Sequence, residues 1–135
     1  MKNLNDLPKD DKHYLAICNV IKIRNWVKQN IPADIIDELS SNGASGVFHT
    51  NGYHYSWRIS KVYGITMHVG CSRLVSFNDI SRGSGCGEYP IKADDGFYYN
   101  YDAPHYGAFI DQWPNIKQTI INTYQRVKAR QTFEP

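Results

Sequence analysis

The sequence predicts an α+β fold in which two N-terminal helices, a four- to five-stranded antiparallel sheet and a C-terminal helix form two layers. Residues 46–70 alternate apolar and polar side chains with a period of two, which is typical of strands with one buried face. Asn51-Gly52 interrupts this alternation with a strong hairpin signal. Apolar residues before and after the stretch recur at helical spacing, which favours helices packed on one sheet face.

The central strands are predicted to carry two different faces. One face is apolar and consists of Tyr53, Tyr55, Trp57 and Ile59, continued after a turn near Ser60-Lys61 by Tyr63, Ile65, Met67 and Val69. The other face is polar and consists of His54, Ser56 and Arg58, continued by Gly64, Thr66 and His68. The shared phase within each element predicts a core that contains Trp26, Ile36, Tyr55, Trp57, Ile65, Met67, Ile116 and Ile120.

Three helices are predicted from apolar periodicity and end signals. Residues 5–12 are expected to open the first, because Pro8 suits a first turn and acidic residues follow it. Asn30-Ile31-Pro32 ends that helix and starts a second, which Gly43 is expected to cap. The third is predicted over 111–130, with Trp113-Pro114 in its first turn. The cations Lys22, Arg24 and Lys28 are expected to lie on the solvated sides of the first helix.

Between the central strands and the last helix the pattern is less regular. A short strand is predicted within 74–80, followed by a glycine-rich connection over 81–87. Asp94-Asp95-Gly96 predicts a turn, and 97–101 is predicted to be the last strand of the sheet. Pro104 is expected to end it.

Composition limits the class of protein. With 135 residues the chain is expected to form a single domain, and 41% hydrophobic with 21% charged residues is ordinary for a globular protein. A net charge of +2 is too small to indicate nucleic acid by itself. Three cysteines without C-x-x-C spacing, and no apolar leader or membrane-length apolar run, favour a soluble, cytoplasmic protein with free thiols.

Two groups of residues are the candidate binding site. On the polar sheet face, Arg58 offers a planar fork of donors for phosphate or carboxylate, and the histidines donate or accept near neutral pH. The second group is the aromatic segment 97–106, whose rigid rings are typical of recognition surfaces. It contains no lysine or arginine, which favours a protein partner over nucleic acid. The predicted binding residues are His54, Arg58, Thr66, His68, Tyr98, Tyr99, Tyr101, His105 and Tyr106, with Arg82 in the glycine-rich connection.

The predicted function is binding without catalysis, of the inhibitor or immunity-protein type, with another protein as partner. No catalytic residue, metal site or cofactor is predicted, because His68 and Cys71 are the nearest approach to a nucleophile pair and the histidines lack ligand spacing. An alternative is a pocket for a nucleotide or other phosphorylated molecule on the polar sheet face. A third hypothesis is nucleic-acid binding through the last helix, by Lys117, Arg126, Lys128 and Arg130. The partner and the oligomeric state stay open.

Overall fold

The chain has the α+β fold that the sequence predicts. The computed structural model describes residues 2–41, 45–70, 74–76, 91–99 and 103–133. The helices are α1 (Lys12–Asn30), α2 (Ala33–Ser41) and α3 (Ala103–Phe133), and a 3₁₀ turn spans Leu4–Asp6. The strands are β1 (Lys2–Asn3), β2 (Ser45–Thr50), β3 (Tyr53–Ser60), β4 (Gly64–Gly70), β5 (Leu74–Ser76), β6 (Ile91–Lys92) and β7 (Tyr98–Tyr99).

The main sheet is antiparallel and has the strand order β2-β3-β4-β5. Its first turn is the predicted two-residue hairpin, with Asn51 and Gly52 at φ of 53° and 79°, the positive values that such turns require. Across the three neighbouring strands, Trp57 on β3 lies opposite Gly46 on β2 and Met67 on β4. The predicted faces of the two central strands are therefore confirmed, while the turn between them spans 61–63, slightly later than predicted, because Ser60 still pairs with Gly64.

The helices cover the apolar face of this sheet. α1 packs on β4 and α3, α2 packs on β3, and α3 also contacts β2. Seven of the eight predicted core residues are buried, and Trp26 is half-buried beside the core. Each large apolar side chain placed there contributes roughly 1.5–3 kcal/mol relative to exposure. The contact between helices and sheet is therefore the main stabilising layer of the fold.

The first helix begins later than the sequence predicts. The carboxylate of Asp11 accepts hydrogen bonds from the backbone N–H groups of His13 (2.8 Å) and Tyr14 (3.3 Å), and α1 starts at Lys12. Pro8 instead lies in a turn ahead of the helix, where its carbonyl accepts from Asp11 N–H at 3.0 Å. A side-chain cap that satisfies two free amide donors fixes a helix start more strongly than a proline preference does.

The predicted last strand of the main sheet belongs to a second sheet. β7 pairs with β6, and β6 pairs in parallel with β1, so these three short strands form their own sheet. The Asp94-Asp95-Gly96 turn joins β6 to β7, with Phe97 N–H donating to the Asp95 carboxylate at 2.9 Å. The turn prediction is confirmed, and the assignment of 97–101 to the main sheet is wrong because this tight turn pairs the segment with its own neighbour.

The C-terminal helix is longer than predicted. α3 starts at Ala103, so Pro104 lies in the first turn of the helix, where proline is tolerated. The preceding strand β7 has already ended at Tyr99. Pro114 lies inside the helix and costs it one backbone hydrogen bond. Among the described residues no helix is both long and apolar enough to cross a membrane. Gly43, the predicted cap of the second helix, lies outside the described residues, as does the glycine-rich connection.

Candidate functional site

The polar face of the main sheet is assembled as the sequence predicts. We call it the outer face, and by register it consists of Ser45, Val47 and His49 on β2, His54, Ser56 and Arg58 on β3, and Thr66 and His68 on β4. Arg58 lies between Ser45 and Thr66 in one row of paired residues. Ser56 lies between Val47 and His68 in the next. The side chains of one row project to the same side of the sheet.

Exposure on the outer face decreases from the edge of the sheet towards its middle. On β2 and β3, Val47 is 60% exposed, and His49, His54 and Arg58 are also exposed. On β4, His68 is half-buried and Thr66 is buried. The accessible part of the predicted site is therefore the β2–β3 hairpin, and the buried Thr66 does not belong to it.

Two histidines face each other near the tip of this hairpin. His49 and His54 are paired directly across the strands. The Nδ1 atom of His54 lies 2.7 Å from the Nε2 atom of His49, and the ring centroids are 4.5 Å apart. One nitrogen donates a proton and the other accepts it, so at least one imidazole is neutral in this arrangement. We call these two residues the histidine pair.

Of the four charged residue types, only lysine and arginine occur between positions 39 and 78. Between Glu38 and Asp79 the sequence contains no aspartate or glutamate, while it contains Arg58, Lys61 and Arg73 and three histidines. Lys61, in the turn after β3, pairs with Asp37 of α2 at 3.1 Å. Among the residues that the structure describes, Arg58 thus lies on a face without carboxylates, which favours a ligand with negative charge.

Three residues of the predicted aromatic segment, Tyr99, His105 and Tyr106, do not lie on the outer face. Tyr99 and Tyr106 are buried in the core and are not available at the surface. His105 is half-buried on the helix side of the sheet, where its Nδ1 atom lies 2.6 Å from the hydroxyl of Tyr55 and its ring packs on Tyr53. Tyr98 lies on β7. Tyr101 and Arg82 lie outside the described residues, together with Cys71.

A buried cluster that the sequence analysis missed surrounds Arg24. This residue is 2% exposed, although it was expected on a solvated side of α1. Its Nε atom donates to the carbonyl of Tyr63 at 2.9 Å, and Nη1 donates to the hydroxyl of Tyr99. Its guanidinium lies 4.4 Å from the ring centroid of Phe97, and Nη1 is 3.9 Å from the carboxylate of Asp95. We call these five residues the Arg24 cluster.

Within the Arg24 cluster, Tyr99 links the guanidinium to a carboxylate. Its hydroxyl donates to Asp95 at 2.6 Å and accepts from Arg24. Burial raises the pKa of Tyr99 above its ordinary value, and the neighbouring carboxylate raises it further, against the opposing charge of Arg24. The phenol therefore stays protonated and holds the β6–β7 turn against α1. The contacts of this cluster join α1 to the second sheet.

The cations on α3 are partly occupied within the chain. Arg130 binds the carboxylate of Glu38 at 2.8 Å, and Lys117 lies over the ring of Trp26 at 4.9 Å from its centroid. Arg126 donates to the hydroxyl of Thr123, one turn earlier on the same helix. These contacts disfavour the nucleic-acid hypothesis. Binding to the phosphates of nucleic acid needs several cations together, and each of these cations would first have to give up its contact within the chain.

No family model matches this chain, and no curated protein or solved structure matches it. The class of this protein therefore rests on its fold and site alone. The chain is an α+β protein that buries one face of an antiparallel sheet under helices and presents a carboxylate-free hairpin on the other face.

Proposed function

We propose that this chain is a small binding protein without catalytic activity, which occludes a site on an acidic protein partner as inhibitor and immunity proteins do. The observation that carries the proposal is the exposed, carboxylate-free outer part of the β2–β3 hairpin. It combines a cation, two imidazoles and an apolar residue, namely Arg58, His49, His54 and Val47. Interfaces use this mixture, with arginine among the residues that contribute most binding energy.

The position of β2 adds support. It is the outermost strand in the order β2-β3-β4-β5, so within the described part of the chain one of its edges has no neighbouring strand. Free backbone N–H and C=O groups on such an edge pair readily with an extended segment of another protein. Tyr53 is 41% exposed at the tip of the same hairpin, with its ring on the helix side of the sheet. A partner that contacts the hairpin would thus meet both side-chain and backbone groups.

Replacing Arg58 with alanine tests the proposal. We expect it to weaken partner binding by roughly 1–3 kcal/mol, as for arginines central to an interface. The stability of the free chain should change by less than about 0.5 kcal/mol, because Arg58 is exposed. Arg126→Ala is the matched control, since it removes an exposed arginine from α3. The partner is the protein captured with the tagged chain from its native host. Its binding is measured by calorimetry and should weaken as salt concentration rises.

Two outcomes would redirect the interpretation. If Arg126→Ala weakens binding and Arg58→Ala does not, the outer face is not the binding surface. The hypothesis of binding through α3 is then favoured. If nucleotides raise the melting temperature of the wild type by several degrees and Arg58→Ala abolishes that shift, the phosphate-pocket alternative replaces the protein partner.

The proposed setting is the reducing cytoplasm. Cys18 is free and half-buried on α1, and the other two cysteines lie outside the described residues. A cytoplasmic protein should show the same number of alkylated cysteines with and without prior reduction. A Cys71–Cys86 disulfide in protein prepared from its native host would contradict this setting.

A further inference from the structure

The histidine pair places two ring nitrogens close enough together to become ligands of one metal ion. Both rings are exposed, and their facing nitrogens are 2.7 Å apart. In a metal complex two neighbouring imidazole nitrogens, each about 2.0–2.1 Å from the ion, are separated by about 2.9–3.4 Å for coordination angles between 90° and 109°. A rotation of either ring that opens the distance by less than about 1 Å therefore makes room for an ion.

We propose that His49 and His54 form a binding site for a divalent transition-metal ion of the Zn²⁺, Ni²⁺ and Cu²⁺ class. These ions bind well to neutral imidazole nitrogens, whereas Mg²⁺ and Ca²⁺ require oxygen ligands. The outer face supplies no carboxylate to such an oxygen site. The metal ion takes the place of the proton between the two facing nitrogens. When both rings are neutral beforehand, this proton moves to the far nitrogen of the donating ring, and when one ring is an imidazolium it is released to solvent, so that both rings bind as neutral ligands.

The strand pairing holds the two ligands in place before the metal binds. Directly opposed residues of an antiparallel pair have Cβ atoms about 4.5–5.5 Å apart, and the Asn51-Gly52 turn fixes this register. The second ligand therefore binds as an intramolecular event, at high effective concentration. The described residues contain no cluster of three or more histidine, cysteine or acidic side chains able to hold a metal. Two ligands leave further coordination positions for water or for a donor from another molecule.

Calorimetric titration of the full, tag-free chain with Ni²⁺ and with Zn²⁺ tests this site. We expect one ion per chain to bind the wild type, and His49→Ala and His54→Ala each to weaken binding on the order of 100-fold by reducing a chelate to a single ligand. His68→Gln is the matched control, because it removes a histidine from the same face outside the pair and should leave the affinity within about twofold. Mg²⁺ should not bind at this site.

The metal-free melting temperatures of all variants are compared, so that a loss of binding is not mistaken for a loss of folding. Wild-type binding no tighter than millimolar, or equal binding by the wild type and both alanine variants, would overturn the proposal. A loss in His68→Gln as large as in the pair variants would also overturn it, because the ligand set would then differ. The test needs no protein partner, so its outcome is independent of the proposed function.

Discussion

Replacing Arg24 with methionine should lower the free energy of unfolding by about 2–3 kcal/mol. The change removes the donors to the Tyr63 carbonyl and the Tyr99 hydroxyl and the cation that lies over Phe97. Hydrogen bonds from a charged donor contribute about 1.5–3 kcal/mol each to stability. Methionine fills much of the same volume, so the loss reports on polar contacts more than on packing.

One feature of Arg24 works in the opposite direction and limits the loss. Its Nη2 atom is buried and has no hydrogen-bond partner among the described residues. An unpaired buried donor costs about 1–3 kcal/mol, and the substitution removes that cost. Asp95 also keeps its hydrogen bonds from Tyr99 and Phe97 in the variant. The expected net effect is therefore smaller than the 3–5 kcal/mol that is typical when one member of a fully buried ion pair is removed.

Lys22→Met is the control for Arg24→Met, because it removes a cation from an exposed position two residues earlier on α1. Chemical denaturation of both variants gives the comparison. The Lys22 variant should stay within about 0.5 kcal/mol of the wild type. An Arg24 variant as stable as the Lys22 variant would contradict a stabilising role for the Arg24 cluster.

Replacing Gly64 with alanine should cost about 3 kcal/mol. Gly64 starts β4 with a φ of +82°, and a Cβ atom placed there would lie 2.8 Å from the backbone carbonyl oxygen of Arg24. The positive φ accounts for roughly 1 kcal/mol, since a side chain is strained in this region. The clash involves backbone on both sides, so the helix and the strand must move apart, which costs a further 1–3 kcal/mol or so.

Gly52→Ala separates these two effects. Gly52 has nearly the same φ, +79°, and a Cβ atom there meets nothing within 4 Å. Its substitution should therefore cost about 1 kcal/mol, from the backbone conformation alone. The difference between the two variants measures the close approach of α1 to β4. Equal losses of stability in the two variants would show that α1 and β4 do not approach each other as closely as the structure shows.

Much of the fold could be predicted because its signals are local. The alternation over 46–70 and the Asn51-Gly52 turn determine which side chains share a face, so the outer face and the core residues of the central strands follow from counting. The same counting contained the histidine pair, since residues placed symmetrically about a two-residue turn face each other across the strands. Ligand spacing along the chain did not reveal it, because the two histidines belong to different strands.

Other features depend on partners that are distant in sequence. Arg24 is in helical phase with the buried residues Val20 and Val27, so its position already indicated burial, but its charge favoured solvent. Its partners Tyr63 and Tyr99 lie far along the chain, and no local pattern brings them to α1. The aromatic segment was interpreted from composition alone. Composition does not distinguish rings that bind a partner from rings, such as those of Tyr99 and Tyr106, that fill the core.

The central claim is that the β2–β3 hairpin contacts the partner. Side-chain labelling with diethylpyrocarbonate, read at each residue by mass spectrometry, tests it on the free chain and on the chain bound to its captured partner. His49, His54 and the exposed control Lys22 should all react in the free chain. If the hairpin contacts the partner, both histidines lose their labelling in the complex while Lys22 keeps it. Unchanged labelling of His49 and His54, with loss of labelling on α1 or α3, would contradict it.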